Sequence, residues 1–185
     1  MTGLNHIENI KAGNNESFRW LIETHQQMVF VTAMGFVHVK EDAEDLVQEV
    51  FIKVFRNIRN FSGDSEFSTW LYRITINTCI NYLNKKKRSE ILLRSGDLFM
   101  GLINRVEDKN NPETEVIENE ISISIKNAIG SLSKKQKTAF VLSKYDELSQ
   151  KQISEIMNIS EGAVEQHLQR AKKNLQIKLA SIVGK

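Results

Sequence analysis

The chain contains a single proline, Pro112, in 185 residues. Because proline lacks a main-chain donor and interrupts helices, its scarcity leaves long stretches of this sequence free to be helical. Apolar residues recur at positions i, i+3, i+4 and i+7 in residues 16–37 and again in residues 43–58, which is the spacing of amphipathic helices. With an apolar fraction of 41%, the composition is that of a globular chain. We therefore predict an all-α protein.

The remaining helices are shorter or more deeply buried. A third helix is predicted from about residue 68 to residue 87, with apolar residues around much of its circumference. In the last 60 residues, Ser133 and Ser149 are each followed three positions later by glutamine, which is the spacing of a capping box at a helix start. A three-residue turn at 158–160 then precedes a longer helix, with Ser160 as its N-cap. A short helix, a tight turn and a longer helix with a basic outer face are typical of a helix-turn-helix DNA-binding unit.

Charge is distributed unevenly along the chain, although the formal net charge is only +2. Residues 1–90 carry 11 basic and 11 acidic side chains, residues 91–125 carry 3 and 7, and residues 126–185 carry 11 and 5. This division predicts an N-terminal domain over residues 1–90, an acidic linker over residues 91–120 and a C-terminal domain over residues 121–185.

Two stretches contain basic residues and no acidic residue: the segment between Glu66 and Glu90, and the segment after Glu165. Basic patches on two domains fit a polyanion that is held at two places. Two solvated helix faces are the alternative interpretation.

One strip of the third helix is polar, with members spaced four, four, three and four residues apart: Arg73, Asn77, Asn81, Asn84 and Arg88. Arginine and asparagine hydrogen-bond to phosphates and base edges, and asparagine is a poor helix former. The strip, with the adjoining run Lys85–Lys87, is therefore a candidate nucleic-acid contact. An ordinary solvent-facing stripe remains the alternative.

Catalytic and metal-binding classes have little support. The single cysteine, Cys79, excludes an intramolecular disulfide and a multi-cysteine zinc site, and its place in a buried helix indicates a packing thiol. The four histidines lack metal-like spacing, and no glycine-rich phosphate loop, H-E-x-x-H or G-x-S-x-G motif is present. We expect no enzyme, no metal and no cofactor. The first 11 residues do not resemble a signal peptide and no apolar run approaches the length of a membrane span, so we expect a cytoplasmic protein.

The sequence resembles the sigma factors of bacterial RNA polymerase. Residues 43–51, residues 67–74 and Asn77 resemble their region 2, and motifs within residues 148–172 resemble their region 4. The likeness covers about residues 16–180. With only a linker between the two regions, the chain is most similar to the compact extracytoplasmic-function subgroup.

The resemblance implies a dissociable subunit that gives RNA polymerase core its promoter specificity. Its implied partners are the clamp coiled coil and the flap of the polymerase, promoter DNA and an anti-sigma factor, and the linker would thread towards the RNA exit path. The residues implied to bind the polymerase core are Asp45, Gln48, Glu49 and Ile52.

The resemblance also assigns the DNA contacts. The loop 60–66 would capture a flipped base of the −10 element, and the helix after it would hold the −10 DNA. The implied −10 contacts are Asn60, Phe61, Ser62, Arg73, Asn77, Asn81, Asn84, Lys85, Lys86, Lys87 and Arg88. The implied −35 contacts are Ser160, Glu161, Gly162, Glu165, Gln166, Gln169, Arg170 and Lys173.

Two positions depart from the family pattern. Glu165 stands where a basic residue usually follows the valine of the recognition helix, and Ser133 stands where a proline usually opens region 4. A carboxylate accepts from cytosine N4 and is repelled by phosphate, so Glu165 either sharpens sequence choice or points away from DNA. The alternative functions are a conventional helix-turn-helix regulator, which would bind duplex DNA without polymerase, and a helical adaptor that makes only protein contacts.

The linker carries an unusual apolar segment, since eight of the thirteen residues from 91 to 103 are apolar. Leaving large apolar side chains exposed forgoes about 1.5–3 kcal/mol for each one. One hypothesis is that residues 91–103 are partly helical and dock between the domains of the free protein, masking the Asp45/Gln48/Glu49 patch or the recognition helix. The alternative is that the segment waits for a groove on the polymerase.

Overall fold

A computed structural model describes residues 3–100 and 113–183. Within these ranges the helices, in chain order, are α1 (Gly3–Lys11), α2 (Asn15–Val37), α3 (Lys40–Asn57), α4 (Phe67–Met100), α5 (Glu113–Gly130), α6 (Lys134–Lys144), α7 (Gln150–Met157) and α8 (Glu161–Val183), with a 3₁₀ turn at Ile58–Asn60. No strand occurs in these residues, and the all-α prediction is confirmed. Over the same ranges, no helix has the length and apolarity needed to cross a membrane.

The predicted helix starts in the C-terminal half are confirmed in detail. At α6 and at α7, the serine hydroxyl accepts from the main-chain nitrogen of the glutamine three residues on, and that glutamine reaches back to the serine nitrogen. The Ser160 hydroxyl accepts from the nitrogen of Ala163 at 3.2 Å, which caps α8. These bonds satisfy donors that the first turn of a helix leaves without partners. The turn before α8 includes Asn158, whose φ of 52° is the left-handed conformation that ends α7.

Helix α4 is longer than the sequence periodicity predicts. It was expected to end near residue 87, and its backbone continues through Met100. The first ten residues of the apolar segment 91–103 are therefore helical and continuous with the polar strip. Residues 101–103 and Pro112 lie outside the described residues, and so do the side chains of residues 90–100 on which the docking hypothesis rests.

The N-terminal half is built around α2, α3 and α4. Their inward faces form a buried core that contains Leu21 and Val29 of α2, Val50 and Val54 of α3, and Leu71 of α4. Helix α1 covers one end of this core with Ile7 and Ile10, which are 6% and 4% exposed. Each helix thus buries one apolar stripe in this core.

A second core joins the two halves of the chain. Ala33 and Phe36 of α2 and Ile76 and Cys79 of α4 belong to the same buried cluster as residues of α6, α7 and α8. Those residues are Val141, Leu142, Ile153, Ile156 and Val164. In this structure the C-terminal helices therefore pack directly on the α2–α4 face of the N-terminal half.

Candidate nucleic-acid and protein-binding surfaces

The polar patch predicted on α3 lies at the surface. Asp45, Gln48 and Glu49 have exposed side chains, and they fall within about one helical turn. Glu49 forms an ion pair with Lys53, whose ammonium nitrogen is 2.6 Å from the carboxylate. Ile52, the fourth predicted member of this surface, is 50% exposed. Carboxylates and an exposed aliphatic side chain thus share one face of α3.

An apolar groove extends this patch onto α2. Phe55 is 55% exposed, and its ring meets that of Phe18 edge-on with centroids 5.1 Å apart. Ile22, Val47 and Phe51 line the rest of the groove. An exposed apolar groove rimmed by polar side chains is typical of a protein-docking surface.

Phe55 is the member of this surface that sequence reasoning missed. The periodicity of residues 43–58 predicted that Phe55 faces the core, and this prediction is wrong. Val54 and Ile58 fill the inward positions at this end of α3, being 0% and 2% exposed. The available signal was the neighbouring Ile52, because two large apolar residues one turn apart on the outer side of a helix indicate a second contact face.

In the loop before α4, the predicted DNA contacts differ in exposure to solvent: Asn60 and Ser62 are exposed, and Phe61 is buried. Asn60 and Ser62 are exposed, and the Ser62 hydroxyl donates to Asp64 at 2.5 Å. Gly63 has a φ of 84°, a conformation that favours glycine. These residues form a short, tightly turned loop at the surface.

Phe61 is placed differently from its predicted role in base capture. It is only 6% exposed, and its ring lies 5.7 Å from the ring of Phe67 and 5.3 Å from that of Trp70. The three rings form one aromatic cluster against the N-terminal core. Burying three rings against each other outweighs leaving one free in water, so the Phe61 ring has no free face for stacking on a base here.

The polar strip of α4 is largely available to solvent. Asn77 and Asn81 are exposed, Asn84 is half-buried, and Lys85 through Arg88 are exposed. Lys86 differs from its neighbours because its ammonium group pairs with the Asp42 carboxylate at 2.9 Å. This hydrogen bond raises the pKa of Lys86 and contributes to lowering that of Asp42. The remaining basic side chains of the run point outward from the helix that carries the asparagines.

Arg73, at the start of the strip, is bound to the other half of the chain. Its guanidinium donates to the main-chain oxygen of Ile156 at 3.1 Å and to that of Glu155 at 2.7 Å. Both acceptors are near the C-terminus of α7, and the Glu155 oxygen also accepts from the main-chain nitrogen of Asn158 at 3.3 Å. The predicted DNA-facing guanidinium is thus occupied by α7 in this structure.

The predicted −35 contacts all lie at the start of α8 or on its outer face. The following residues are exposed: Ser160, Glu161, Gly162, Glu165, Gln166, Gln169, Arg170 and Lys173. Val164 and Ala171, on the opposite face, are fully buried and fix the helix against α6 and α7. The carboxylate of Glu165 accepts from the Gln169 side chain at 3.1 Å, so it lies along the exposed face of the helix.

Titratable groups in and beside the two cores lie in packed surroundings. Cys79 is fully buried and burial raises the pKa of its thiol to about 12, which confirms its prediction as a packing residue. His25 is half-buried beside Phe67, and desolvation lowers its pKa. Among the described residues no group of three or more His, Cys, Asp or Glu side chains is arranged to hold a metal ion.

Two family models match the chain over the parts that carry these surfaces. The model described as Sigma-70 region 2 matches residues 21–89. The model described as Sigma-70, region 4 matches residues 122–175.

Curated proteins are similar along nearly the whole chain. The RNA polymerase sigma-H factor of Pseudomonas aeruginosa is 32% identical over 171 residues, which cover 90% of this chain and 88% of that protein. The ECF RNA polymerase sigma-E factor of Haemophilus influenzae is 32% identical over 181 residues, which cover 96% of this chain and 95% of that protein.

Two solved structures share the fold. CnrH in complex with the cytosolic domain of CnrY has a TM-score of 0.64 and 21% sequence identity, covering 95% of this chain and 96% of that one. The sigma factor RpoE in complex with the anti-sigma factor NepR from Bartonella quintana has a TM-score of 0.59 and 21% identity, covering 89% of this chain and 98% of that one. At this level of identity the likeness concerns the fold.

Proposed function

The chain belongs to the extracytoplasmic-function sigma factors of bacterial RNA polymerase, and we propose that its separate surfaces divide the work of that family between them. It is a sigma factor, which binds RNA polymerase core and directs promoter-specific initiation. The observation that carries this assignment is the presence of regions 2 and 4, in that order, on one chain that is similar to such factors over nearly its full length.

The polymerase contact in this proposal is the α3 patch with its apolar groove. Asp45, Gln48 and Glu49 offer charged and polar groups to the clamp coiled coil, while Ile52 and Phe55 offer apolar area. The proposal is supported by the exposure of Ile52 and Phe55, since large apolar side chains grouped on a surface mark a binding site. Burying them on the clamp gives affinity, and the surrounding polar groups give specificity.

The −10 contact is the outer strip of α4 and the loop before it. Asn60 and Ser62 border a flipped base, Asn77 and Asn81 hydrogen-bond to bases, and the lysines hold phosphates. The continuous, solvent-exposed course of the asparagines and lysines along one helix supports this role. Phe61 is left out of the base contact because its ring is in the core.

The −35 contact is the exposed face of α8, entering the major groove of duplex DNA. The capped helix start and the tight turn after α7 are typical of a recognition helix. Gln166, Gln169 and Arg170 have side chains able to read base edges, and Lys173 is placed for a phosphate. Region 4 would also meet the polymerase flap.

These surfaces lie on two domains that a linker joins. Residues 1–90 and 121–185 act as the two promoter-binding domains, and residues 91–120 connect them. An anti-sigma factor holds the protein inactive, as the similar fold seen in a complex with NepR suggests. The protein acts in the cytoplasm, where RNA polymerase is, and supplies no catalytic group of its own.

The test of this function is a binding titration with RNA polymerase core from the same organism. The double variant Gln48→Ala/Glu49→Ala is compared with Glu165→Ala/Gln166→Ala, which removes the same two residue types from the exposed face of α8. The first should bind core at least about tenfold more weakly, because a loss of about 1.4 kcal/mol at an interface is a factor of ten. The second should bind core as the wild type does. Equal affinity of all three proteins would remove the α3 patch from the interface, and no core binding by the wild type would refute the function.

A further inference from the structure

A cleft lies beside the end of α2, between helices of the two halves of the chain. Its volume is about 690 Å³, and its walls come from the end of α2, the first turn of α3, the middle of α4, the last turns of α5 and the start of α6. Pockets of this size hold small organic ligands. None of the residues of the α3 patch, its apolar groove or the outer face of α8 lines this cleft.

Positive charge predominates in the cleft. Among the described residues that line it, Asp42 is the one carboxylate, and it is already paired with Lys86 at 2.9 Å. The other lysines of the walls form no ion pair with any carboxylate of the described residues: Lys87, Lys126, Lys134 and Lys137. Like charges around one cavity focus a positive potential in it. An anion that enters the cleft gains this attraction without displacing a protein carboxylate.

Two of the groups that line the cleft are deeply placed. Lys137 is 6% exposed, and burial lowers its pKa to about 8. Within the described part of the chain its ammonium group donates to the Phe36 carbonyl oxygen at 2.8 Å, which uses one of its three hydrogens. Burial, then the charge of Lys137 and then that of Lys126, lower the pKa of His38 to about 4. The cations of α5 and α6 therefore act together at the end of α2.

His38 also has a hydrogen-bonding atom that is not used. Its Nε2 atom is buried and has no hydrogen-bond partner among the described residues. Because the pKa of this imidazole is low, the ring is neutral near pH 7, and Nε2 either donates or accepts according to the tautomer. Buried polar atoms are normally paired, so an unpartnered one in a residue that lines a cleft indicates a place for a polar group of a ligand.

The start of α6 adds to the positive potential. Ser133 caps this helix, and its first turn contains no acidic residue. A helix N-terminus carries a partial positive charge and attracts phosphate. Ser133 and Lys134 both line the cleft, so the helix end and the lysine side chains act on the same space.

The rest of the lining suits a different chemical group. Ile80, Leu83 and Leu132 supply apolar contact area, while Asn84 and Asn127 supply amide groups that both donate and accept. A nucleobase has apolar faces and a polar edge, and proteins hold it with side chains of these two kinds. A ligand that carries phosphates at one end and a base at the other therefore matches the whole lining.

We propose that this cleft binds a nucleoside di- or triphosphate, with its phosphates among the lysines and its base among the apolar and amide side chains. A DNA strand that crosses the opening reaches Lys87, which is also a predicted −10 contact, but not the buried Lys137 or the buried Nε2 atom of His38. The inner groups thus favour a compact ligand over a polymer. This site is additional to the promoter and polymerase surfaces, and it does not depend on the proposed function.

The test is isothermal titration calorimetry of the full-length protein with ATP, GTP and inorganic tripolyphosphate, in buffer without Mg²⁺. The cleft variant is Lys126→Gln/Lys134→Gln, which changes no predicted DNA or polymerase contact. Its matched control, Lys144→Gln/Lys151→Gln, removes the same charge outside the cleft. Asn127→Ala tests the nucleoside end without a change of charge. All of these residues are exposed, so each variant should fold.

The wild type should bind at least one of the two nucleotides, and more tightly than tripolyphosphate, because only a nucleotide contacts the apolar and amide side chains. The cleft variant should bind the nucleotide at least about tenfold more weakly, because the lost ammonium–phosphate hydrogen bonds are charge-assisted. The control should match the wild type. Asn127→Ala should weaken nucleotide binding and leave tripolyphosphate binding unchanged.

Three results would overturn the nucleotide site: a wild type that binds neither nucleotide, equal losses in the cleft variant and its control, or tripolyphosphate bound as tightly as the nucleotides. Each protein is also titrated with a mixed-sequence single-stranded oligonucleotide. A cleft variant that loses oligonucleotide affinity and keeps nucleotide affinity would assign these lysines to DNA instead.

Discussion

The ammonium nitrogen of Lys137 and the carbonyl oxygen of Phe36 lie 2.8 Å apart, joining α6 to the last turn of α2 across the contact between the two halves. Lys137 is nearly inaccessible to solvent, and burial lowers its pKa to about 8. Packing α6 on α2 therefore carries a desolvation cost at Lys137, which the hydrogen bond to Phe36 and the negative end of the α2 dipole offset in part.

Replacing Lys137 by methionine measures how much its hydrogen bond to the Phe36 carbonyl contributes to the unfolding free energy. The Lys137→Met variant removes the buried charge and leaves the Phe36 carbonyl without a partner, so we expect a loss of about 1–3 kcal/mol in unfolding free energy. Urea denaturation should also show a smaller m-value, because halves that separate before unfolding expose less new surface. Lys144→Met, at an exposed position of the same helix, should stay within about 0.5 kcal/mol of the wild type. A Lys137→Met protein with wild-type stability would mean that the bond contributes nothing net.

The Asp146 carboxyl group should make the unfolding free energy fall as the pH rises. Burial raises its pKa from 3.8 to about 6, so the folded protein holds this proton more tightly than the unfolded chain does. The contribution of this bound proton to the unfolding free energy is complete below pH 3.8 and is lost as the pH rises through about 6. Tyr72, its titratable neighbour, has a raised pKa and stays protonated over this range.

The comparison that isolates this group is Asp146→Asn. The unfolding free energy of the wild type minus that of the variant should fall between pH 4 and pH 6 and level off above that range. Taking the difference removes contributions common to both proteins, including His38, whose pKa burial lowers to about 4. Parallel stability curves for the two proteins would show that Asp146 titrates alike in the folded and unfolded states.

For the polar strip on α4, we expect lysine substitutions and asparagine substitutions to change −10 binding in different ways. Lys85→Ala/Lys87→Ala should weaken binding to all single strands and reduce the slope of log affinity against log salt by about 0.7 for each phosphate that is no longer neutralised. Asn77→Ala should instead reduce the preference for the cognate −10 element and leave the salt slope unchanged. Lys144→Ala, on α6, is the control for removal of a lysine elsewhere. If Asn77→Ala affects cognate and scrambled strands equally, the strip is a solvated face.

Removal of the single negative charge of Glu165 tests whether this face of α8 lies against DNA. Its carboxylate lies on the exposed face of α8, hydrogen-bonded to Gln169, and a glutamine side chain at the same position would keep the shape of that pair. Glu165→Gln should tighten binding to any short duplex at low salt, because repulsion between the carboxylate and the phosphates is removed. Titration by fluorescence anisotropy at two salt concentrations measures this. Affinity that does not change would place Glu165 away from the DNA.

The sequence predicted features that depend on local chemistry. The capping boxes at Ser133 and Ser149 and the N-cap at Ser160 involve residues three positions apart, so their geometry follows from the helix itself. The extension of α4 to Met100 was also open to prediction, because Pro112 is the first proline after its start. The helical spacing of the apolar residues also predicted most of the faces that point into the core, because residues three and four positions apart lie on the same side of a helix.

Features that depend on contacts between distant residues were not predictable in this way. Lys137 follows Lys134 and Lys135 in sequence, and only the packing of α6 on α2 distinguishes the buried lysine from the exposed ones. Likewise, Arg73 meets carbonyls 82 and 83 positions later. Phe55 was assigned to the wrong environment, because it lies at the margin of a helical stripe. The burial of Phe61 depends on an aromatic cluster that only tertiary packing forms.

As a sigma factor, this chain confers promoter specificity on RNA polymerase core. The most direct measurement is transcription in vitro by core from the same organism, on a library of genomic fragments, with and without the purified chain, followed by mapping of the RNA 5′ ends. We expect new transcripts that begin at discrete positions, share sequence elements upstream of those positions, and disappear with the Gln48→Ala/Glu49→Ala protein. An unchanged set of 5′ ends, in the presence of chain shown to be folded, would contradict it.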